Sequence, residues 1–403
     1  MSEIGQKERA TQKRVIALFT KELGYRYLGN WEDRENNSNI EEKILRGFLA
    51  MKGYNQNLIG KALYEFGKVA GDQSKSLYDV NKEVYTMLRY GVNVQPETGQ
   101  NKETVWLIDW KNPLENDFAI AEEVTIKGFH KKRPDLVLYV NGIALGVLEL
   151  KRSTVSISEG IRQNNDNQKH IFIKPFFSTI QLVMAGNNVE GLAYAAIDTK
   201  EKYFLKWKEM SDQAASHDYL LDLNIVQLLN KERLIELVHD FVVFDRGQKK
   251  LCRPNQYFGI KAAQKFVKNH ENGILWHTQG SGKSLIMVWL AKWIREYNHN
   301  ARVLIITDRE ELDEQIEKVY KGVQENIYRT TSGKDLLNKL NDTAPLLICS
   351  LIHKFGGKEE IDEKAMDAYL NELKSSIPVN YKAKGDIYVF VDECHRTQTG
   401  KLH

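Results

Sequence analysis

Two groups of residues have the types and spacing that phosphate chemistry requires, and they lie far apart in the chain. The segment HTQGSGKS, residues 277–284, precedes a helical pattern. Its glycines let the backbone curl so that successive N–H groups face phosphate oxygens, and a helix N-terminus adds partial positive charge. Lys283 would then reach the β and γ phosphates of a nucleotide, and Ser284 would hold Mg²⁺. The predicted nucleotide-binding residues are Thr278, Gly280, Ser281, Gly282, Lys283 and Ser284.

The surroundings of this loop strengthen the prediction. An apolar run at Gly273–Trp276 predicts a strand before the loop, so that the xxxxGK[ST] pattern lies on a strand–loop–helix unit. His277 stands where the common pattern has its first glycine, which is a departure from it. The alternative is a glycine-rich turn before an ordinary helix.

A second apolar strand, DIYVFVD, ends in Asp392-Glu393-Cys394-His395. Such a strand places two carboxylates at the carboxyl edge of a parallel sheet, where ligands bind in folds of this class. Asp392 would hold Mg²⁺ and Glu393 would orient an attacking water, as phosphoryl transfer to water requires. Together with the loop, this tetrapeptide predicts ATP and Mg²⁺ as cofactors.

The other group lies upstream, in RPDLVLYVNGIALGVLELK, residues 133–151. Asn141-Gly142 between two apolar runs is a strong hairpin signal. Asp135 enters the first strand, and Glu149 and Lys151 share one face of the second because strand side chains alternate. Two carboxylates on a divalent metal, with an ammonium beside them, suit phosphodiester hydrolysis. The alternative is a pair of salt-bridging surface charges.

The turn of this hairpin decides whether that site can form. A simple two-residue turn at Asn141-Gly142 would place Asp135 opposite Leu148, on the face away from Glu149. We therefore predict a three-residue connection or a glycine bulge, which shifts the pairing by one residue and brings Asp135 opposite Glu149.

The elements that must position these residues divide the chain into parts. Residues 1–203 carry helical patterns followed by strand-like runs and predict an α+β domain with a mixed sheet. Residues 204–244 are helical and polar and predict a connector. Residues 245–403 alternate apolar strands with helices and predict an α/β domain with a parallel sheet.

Composition limits the class of protein. The chain has 403 residues, of which 42% are hydrophobic and 28% charged, enough for two or three domains. No apolar run approaches the ~20 residues needed to cross a bilayer, so we expect a cytoplasmic protein without a membrane partner. The three cysteines are widely separated, and we expect them to be reduced.

The net charge of +3 is too small to identify a nucleic-acid partner. Two basic clusters, at His130–Arg133 and Arg246–Arg253, are local candidates for phosphate contacts, with an ordinary solvated surface as the alternative.

From about residue 250 onward the chain resembles the first RecA-like motor lobe of superfamily 2 helicases and translocases. Gln256 resembles the glutamine that recognises adenine in that family, and Gln264 is the second choice. The segment after VLIIT, with Thr307, Asp308 and Arg309, and the segment around Ser350 resemble elements that approach the nucleic-acid backbone. The alternative for each of these residues is an ordinary strand end or helix cap.

The upstream hairpin resembles the PD-(D/E)xK nuclease pattern, and a nuclease hairpin before a motor lobe resembles the restriction subunit of type I restriction-modification enzymes. The resemblance covers about residue 10 to the end and rests on the hairpin together with WHTQGSGKS, TDREELDEQ and DECHRTQTG. It implies ATP-dependent translocation on double-stranded DNA, Mg²⁺-dependent cleavage, and docking on methyltransferase and specificity subunits. It also implies a role for Gln163 after the site lysine, and Glu8 is a further acidic candidate.

In this family a second motor lobe with an arginine completes the ATP site, whereas this sequence stops soon after DECH. We therefore expect an N-terminal fragment. Two other functions stay open: a helicase–nuclease of DNA repair or defence that acts without a methyltransferase, and a non-enzymatic module that binds DNA or a partner.

Overall fold

The structure is a computed structural model that describes residues 3–97, 99–209, 217–307, 327–351, 377 and 381–392. The chain divides into two compact units. The first comprises Met1–Val242 with Gly247–Pro254, and the second comprises Val243–Arg246 with Asn255–His403.

Four helices of the first unit begin at a residue whose side chain caps them. Asn55, Ser76, Ser156 and Asn230 each accept a hydrogen bond from a backbone N–H in the first turn that follows. The helices are α1 (Glu3–Ala17, continued as a π-helical turn over Leu18–Glu22), α2 (Glu42–Met51), α3 (Gln56–Ala70), α4 (Leu77–Tyr90), α5 (Ile157–Asn167), α6 (Leu220–Leu229) and α7 (Lys231–Asp240).

A seven-stranded sheet forms the centre of the first unit. Its order is β1-β4-β5-β6-β7-β8-β9, and both parallel and antiparallel pairs occur, so the sheet is mixed, as predicted. The strands are β1 (Arg26–Asn30), β4 (Phe118–Glu122), β5 (Leu136–Val140), β6 (Ile143–Leu150), β7 (Leu182–Asn187), β8 (Gly191–Ala195) and β9 (Leu205–Lys206); β2 (Val92–Val94) and β3 (Glu103–Val105) form a separate pair.

The middle of this sheet is covered on both faces. Every residue of β5, β6, β7 and β8 is buried. Strands of this kind are apolar throughout and lack the alternation of a half-exposed strand. Polar side chains at their ends are therefore conspicuous, and Glu149, near the end of β6, is fully buried.

The segment predicted as a connector contains two helices, α6 and α7, separated at Asn230. Both fall within the first unit. Leu221, Ile225 and Leu228 of α6 are fully buried, and the Tyr25 hydroxyl donates to the Leu229 carbonyl at 2.8 Å. The functional division at residues 203/204 and 244/245 stays a prediction.

The second unit contains a parallel sheet among its described residues. The strands β12 (Ala301–Thr307), β13 (Tyr328–Arg329), β14 (Leu347–Leu351) and β15 (Asp386–Val391) are ordered β13-β14-β12-β15. The helices are α8 (Pro254–Lys268), α9 (Lys283–Tyr297) and α10 (Gly333–Asn341). Strand β10 (Val242–Asp245) begins at the last residue of Met1–Val242 and continues into the second unit, whereas β11 (Gln248–Leu251) belongs to the first unit.

The prediction of a strand at Gly273–Trp276 is wrong. Residues 271–278 have no regular secondary structure, and Ile274 and Trp276 are 73% and 85% exposed. An apolar run predicts burial, but a strand also needs the ladder hydrogen bonds of a neighbour. No described strand pairs with this segment.

Cys252 and Cys349 are buried and free, and Cys394 lies outside the described residues. Among the described helices, none has the length and apolar character needed to span a bilayer.

Candidate functional site

The hairpin β5–β6 closes through a two-residue turn. Val140 pairs with Ile143, and both turn residues have positive φ, 53° for Asn141 and 82° for Gly142, as a type I′ turn requires. The side-chain nitrogen of Asn141, Nδ2, donates to the Leu107 carbonyl at 2.9 Å. The three-residue connection that we considered is therefore wrong.

The shift in register comes instead from a bulge inside β6. Tyr139 pairs with Ala144 but Leu138 pairs with Gly146, so Leu145 is an extra residue on that strand. Its carbonyl accepts a hydrogen bond from the Gln181 N–H at 2.8 Å. The predicted one-residue shift is present beside Gly146.

Beyond the bulge the pairing brings the two carboxylates together. Leu136 pairs with Leu148, so the next pair along the ladder is Asp135 opposite Glu149. Asp135 Oδ2 accepts the Leu150 N–H at 2.7 Å, and the Asp135 and Glu149 side chains share a hydrogen bond. Both carboxyl groups thus lie on one face of the sheet, at the end of the hairpin away from its turn.

Helix α5 supplies the polar groups that hold these side chains. Gln163 Nε2 donates to Glu149 Oε2 at 2.8 Å, and Gln163 Oε1 accepts from Lys151 Nζ at 2.8 Å. Asn167 Nδ2 lies 3.5 Å from Glu149 Oε1. Gln163 therefore links the acidic and basic members of the site, and all four predicted residues of this group meet.

Helix α5 can approach the site because Gly160 has no side chain. A Cβ at this position would lie 3.1 Å from the Ala185 Cβ, 3.4 Å from the Glu149 Cβ and 3.5 Å from the Lys151 Cγ. A larger residue would push the helix, and Gln163 with it, away from the carboxylates.

The electrostatics of the pair oppose ionisation of both carboxyl groups at once. Burial raises the pKa of Asp135 to about 6, although the Lys151 ammonium and the Leu150 N–H act in the opposite direction. Burial and the adjacent Asp135 carboxylate raise the pKa of Glu149 well above its ordinary value. A divalent cation would relieve this repulsion, and carboxylate oxygens are the ligands that Mg²⁺ prefers. The residues present therefore fit a Mg²⁺ site.

Sequence reasoning missed one acidic neighbour, Glu123. It has a positive φ of 52°, and its N–H donates to the Asp135 carbonyl at 2.9 Å. Its charge raises the pKa of both Asp135 and Glu149. The sequence signal that could have identified Glu123 is its position directly after β4, the strand that pairs with β5. The side chain of the other acidic candidate, Glu8, lies outside the described residues.

The glycine loop of the second unit has the backbone conformation that its residues favour. Gly280 and Gly282 have φ of 76° and 85°, and α9 begins at Lys283 directly after Gly282. The Ser281 N–H donates to the Thr278 carbonyl at 3.2 Å. Lys283 and Ser284 thus occupy the first turn of a helix, where N–H groups are open to an anion.

Gln256 contacts this loop directly. Its buried side-chain amide donates to the carbonyls of Ser281 and Gly282 at 3.0 and 3.2 Å. A Cβ on Gly282 would lie 2.5 Å from the Gln256 Nε2, so glycine is required there for close approach as well as for its φ. The alternative candidate, Gln264, is buried, and its Nε2 has no hydrogen-bond partner among the described residues.

His277, the departure from the usual loop pattern, has a structural partner. Its Nδ1 lies 3.1 Å from the Asn255 Nδ2. Burial and the Lys283 charge lower the pKa of His277, which favours the neutral ring.

The carboxyl edge of the parallel sheet carries the remaining candidates. Asp392 directly follows β15, and its N–H donates to the Ile306 carbonyl at 3.0 Å. Thr307 ends β12 and is fully buried, and the Ser350 hydroxyl lies 2.7 Å from that of Thr330. Glu393, Asp308 and Arg309 lie outside the described residues.

One of the basic clusters is partly buried rather than available to phosphates. Lys249, in the Arg246–Arg253 cluster, is 4% exposed and donates from Nζ to the Asn81 Oδ1 at 2.8 Å. Burial lowers its pKa well below the ordinary value. The phosphate contact considered for this lysine is therefore wrong, because its Nζ points into the first unit.

Comparison with known families separates the same two regions. Residues 5–202 match the model described as the type I restriction enzyme R protein N terminus. Residues 255–403 match the model described as the SWI2/SNF2 ATPase.

Curated relatives cover both regions. The endonuclease subunit of the type I restriction enzyme SauMSSORF170P, from Staphylococcus aureus, is 24% identical over 85% of this chain and 34% of its own length. The HindI endonuclease subunit of Haemophilus influenzae is 28% identical over 80% of this chain and 32% of its own. A Methanocaldococcus jannaschii protein, provisionally named as such a subunit, is 26% identical over 95% of this chain and 39% of its own.

The chain thus spans between about a third and two-fifths of the length of these relatives. The order of the two matched regions is the order of the carboxylate site and the glycine loop along the chain. On the R-protein match and these relatives, the chain belongs to the family of type I restriction enzyme R subunits.

Proposed function

We propose that the protein to which this chain belongs moves along double-stranded DNA by hydrolysing ATP and cuts that DNA in a Mg²⁺-dependent reaction. In this proposal residues 1–203 form a PD-(D/E)xK-like endonuclease domain, and residues 245–403 form the first RecA-like motor lobe of superfamily 2 type. The observation that carries the proposal is the register of β5 and β6, which brings Asp135 opposite Glu149. The match of residues 255–403 to an ATPase model supports the second half.

In the nuclease reaction, Asp135 and Glu149 would hold Mg²⁺, and Lys151 would orient the attacking water. When bound, the cation supplies charge that polarises the scissile phosphate and its water. Gln163 fixes the distance between Lys151 and Glu149 through its two hydrogen bonds. It acts as a positioning residue.

In the motor, the N–H groups of Gly280–Ser284 would contact the nucleotide phosphates, and Lys283 would neutralise the β and γ phosphates. Ser284 and Asp392 would hold Mg²⁺, and Glu393 would orient the hydrolytic water. Thr278 and Ser281 complete the loop. Gln256 would read adenine while its amide holds the loop carbonyls.

The relatives are named as subunits of type I restriction enzymes, which supports an assembly with methyltransferase and specificity subunits. Recognition of the DNA site would then belong to those partners. Two alternatives are a helicase–nuclease that acts without them, and a non-enzymatic module that binds DNA or a partner.

Co-expression of the full-length protein with the adjacent methyltransferase and specificity subunits tests the proposal. We expect a stable complex that cleaves unmodified DNA only when ATP and Mg²⁺ are both present. Cleavage without partners would favour the helicase–nuclease. A complex that neither hydrolyses ATP nor cleaves DNA would favour the binding module.

A further inference from the structure

The loop immediately before Asp135 is a basic and aromatic projection, which we call the platform loop, residues 127–133. Ile126 and Lys132 close its base, with N–H to carbonyl distances of 2.8 and 3.1 Å in the two directions. Lys127 to Lys131 are all exposed, and Phe129 is 77% exposed. Single exposed apolar residues are common, but this ring stands within a run of cations.

The platform loop is held in shape by the segment that follows α5. The His130 N–H donates to the Ile171 carbonyl at 3.2 Å, and the Phe129 and His170 rings lie 5.4 Å apart. Lys132 Nζ lies 4.0 Å from the centroid of the Phe172 ring. The exposed rings are thus ordered before any partner binds.

Gly128 makes this close approach possible. A Cβ there would lie 2.1 Å from the Phe172 carbonyl oxygen, so no other residue fits without moving the backbone. The loop geometry is therefore specified by its sequence.

The platform loop lies next to the carboxylate site through both of its supports. Its last residue, Arg133, is separated from Asp135 only by Pro134. On the other side, Asn167, whose amide faces Glu149, is three residues before His170, the residue whose ring contacts Phe129. Six residues span at most about 20 Å, so Phe129 lies within about six nucleotide steps of 3.4 Å from Asp135.

The charge of the loop fits a polyanion. Lys127, His130, Lys131, Lys132 and Arg133 make up five of its seven residues. Arg133 is paired with Glu123 at 2.8 Å and also with Glu32. Within the described part of the chain, Lys127 and Lys131 form no ion pair, so both ammonium groups face solvent next to an exposed ring. Cations beside aromatic rings are the combination that contacts nucleic-acid backbones and bases.

We propose that the platform loop, with His170 and Phe172, is the surface by which the nuclease unit holds DNA beside the phosphate to be cut. Lys127 and Lys131 contact backbone phosphates, and Phe129 inserts against the bases or sugars of the groove. This inference rests on the proposed function, because it takes DNA as the substrate of the adjacent carboxylates.

A salt titration of DNA binding by the 403-residue chain, without ATP or Mg²⁺, tests the phosphate contacts. Each lost phosphate contact lowers the slope of log K against log salt by about 0.9. We expect the double variant Lys127→Ala/Lys131→Ala to lower the slope by about 2. The matched control is Lys21→Ala/Lys111→Ala, two exposed lysines outside the platform loop. An unchanged slope in the platform variant, or an equal change in the control, overturns the proposal.

Phe129→Ala should behave differently from the lysine variants. It should weaken DNA binding about fivefold or more without changing the salt slope, because the ring contributes contact rather than charge. Wild-type affinity in Phe129→Ala would remove the ring from the contact surface and refute that part of the proposal.

A photoreactive residue at position 129 of the complete enzyme identifies the partner directly. We expect a crosslink to DNA, and none from the same residue at Met51, which is 67% exposed. A crosslink to a methyltransferase or specificity subunit would show that the platform loop is a protein-docking surface, and would overturn our assignment. Neither binding readout needs cleavage, so a complete enzyme that crosslinks to DNA through position 129 but does not cut it with ATP and Mg²⁺ would refute the proposed nuclease function while the DNA contact of the platform loop still stood.

Discussion

The carboxylate site and the glycine loop differ in what positions their functional groups. In the carboxylate site, strand register and side-chain hydrogen bonds bring Asp135, Glu149, Lys151 and Gln163 together. In the glycine loop, the groups that would bind phosphate are backbone N–H groups, set by two glycines with positive φ. The first arrangement depends on pairing between distant residues and the second on local conformation.

This difference predicts different sensitivities to mutation. A pair of adjacent carboxylates, one fully buried and one half-buried, accumulates repulsion that a metal relieves, so its variants should alter stability as well as activity. The loop is exposed at Thr278–Gly280 and half-buried at Lys283 and Ser284, so variants of Lys283 and Ser284 should alter nucleotide binding with little change in stability. Each region can therefore be disabled separately in the complete enzyme.

The broadest effect should come from Lys283→Ala, because it should disable both activities. Loss of the ammonium that neutralises the transferred phosphate should lower ATP hydrolysis at least about 10²–10³-fold. Cleavage should be lost with it, because cutting depends on movement. ATPase and cleavage assays on the assembled enzyme check this, with the exposed Lys265→Ala on α8 as the lysine control, which should keep both activities. Cleavage that persists without ATP hydrolysis would contradict the dependence.

A smaller effect is expected for Gln163→Ala. Loss of a residue that orients metal-site side chains lowers activity about 10–100-fold, and here it frees both Lys151 and Glu149. ATP hydrolysis should stay at the wild-type rate. The pH profile of cleavage should also move, since the Glu149 carboxylate would lose the hydrogen bond that Gln163 donates to it, and a purely structural role would leave the profile in place. Arg162→Ala, exposed on the same helix, is the control.

A change in stability should appear in Asp135→Asn without metal. Because burial raises the pKa of Asp135 to about 6, the folded state binds a proton more tightly than the unfolded chain between about pH 4 and pH 6. Wild-type stability should therefore fall as the pH rises through this range, by at most about 3 kcal/mol from this group. Asparagine keeps the acceptor for the Leu150 N–H but not the charge.

Thermal unfolding between pH 4 and pH 8 measures this difference. We expect the advantage of Asp135→Asn over the wild-type chain to grow with pH and to disappear when Mg²⁺ is added to the wild type. A constant difference in stability across this pH range would show that ionisation of the Asp135 carboxyl does not destabilise the folded state.

The smallest effect is expected for Gln256→Ala. The variant loses the two hydrogen bonds to the Ser281 and Gly282 carbonyls. Two neutral hydrogen bonds at about 0.7 kcal/mol each amount to about 1.4 kcal/mol, so ATP should bind about tenfold more weakly. Calorimetry with Mg-ATP checks this, and Gln264→Ala should bind like the wild type. Weaker ATP binding by Gln264→Ala than by Gln256→Ala would assign the adenine-binding role to Gln264 instead.

The sequence was informative where a local pattern determines a local structure. Asn141-Gly142 predicted the hairpin, and the need to pair Asp135 with Glu149 predicted a shift in register. The position of the bulge, at Leu145, could not be predicted. Every residue of β6 is buried, so the strand has no alternation of apolar and polar residues. The sequence therefore does not show at which residue the pairing register shifts.

The sequence misled where structure depends on distant partners. The apolar segment at Gly273–Trp276 predicted a strand, but pairing comes from a neighbour that a single segment does not specify. Lys249 was grouped with surface cations because its acceptors, Asn81 and Gln181, lie far away in sequence. Glu123 went unnoticed for the same reason, since only sheet pairing brings it to Asp135.

The most direct measurement is the pair of activities of Glu149→Gln in the complete enzyme, assayed on one preparation. Glutamine keeps the shape of this fully buried side chain and removes its charge, so the unit should fold and lose its metal site. We predict that cleavage falls at least about 10³-fold, the equivalent of several kcal/mol of lost transition-state stabilisation, while DNA-stimulated ATP hydrolysis is unchanged. The exposed Glu159→Gln on α5 should retain both activities. Loss of ATP hydrolysis together with cleavage, or wild-type cleavage in Glu149→Gln, would contradict the assignment of these carboxylates to a separate nuclease site.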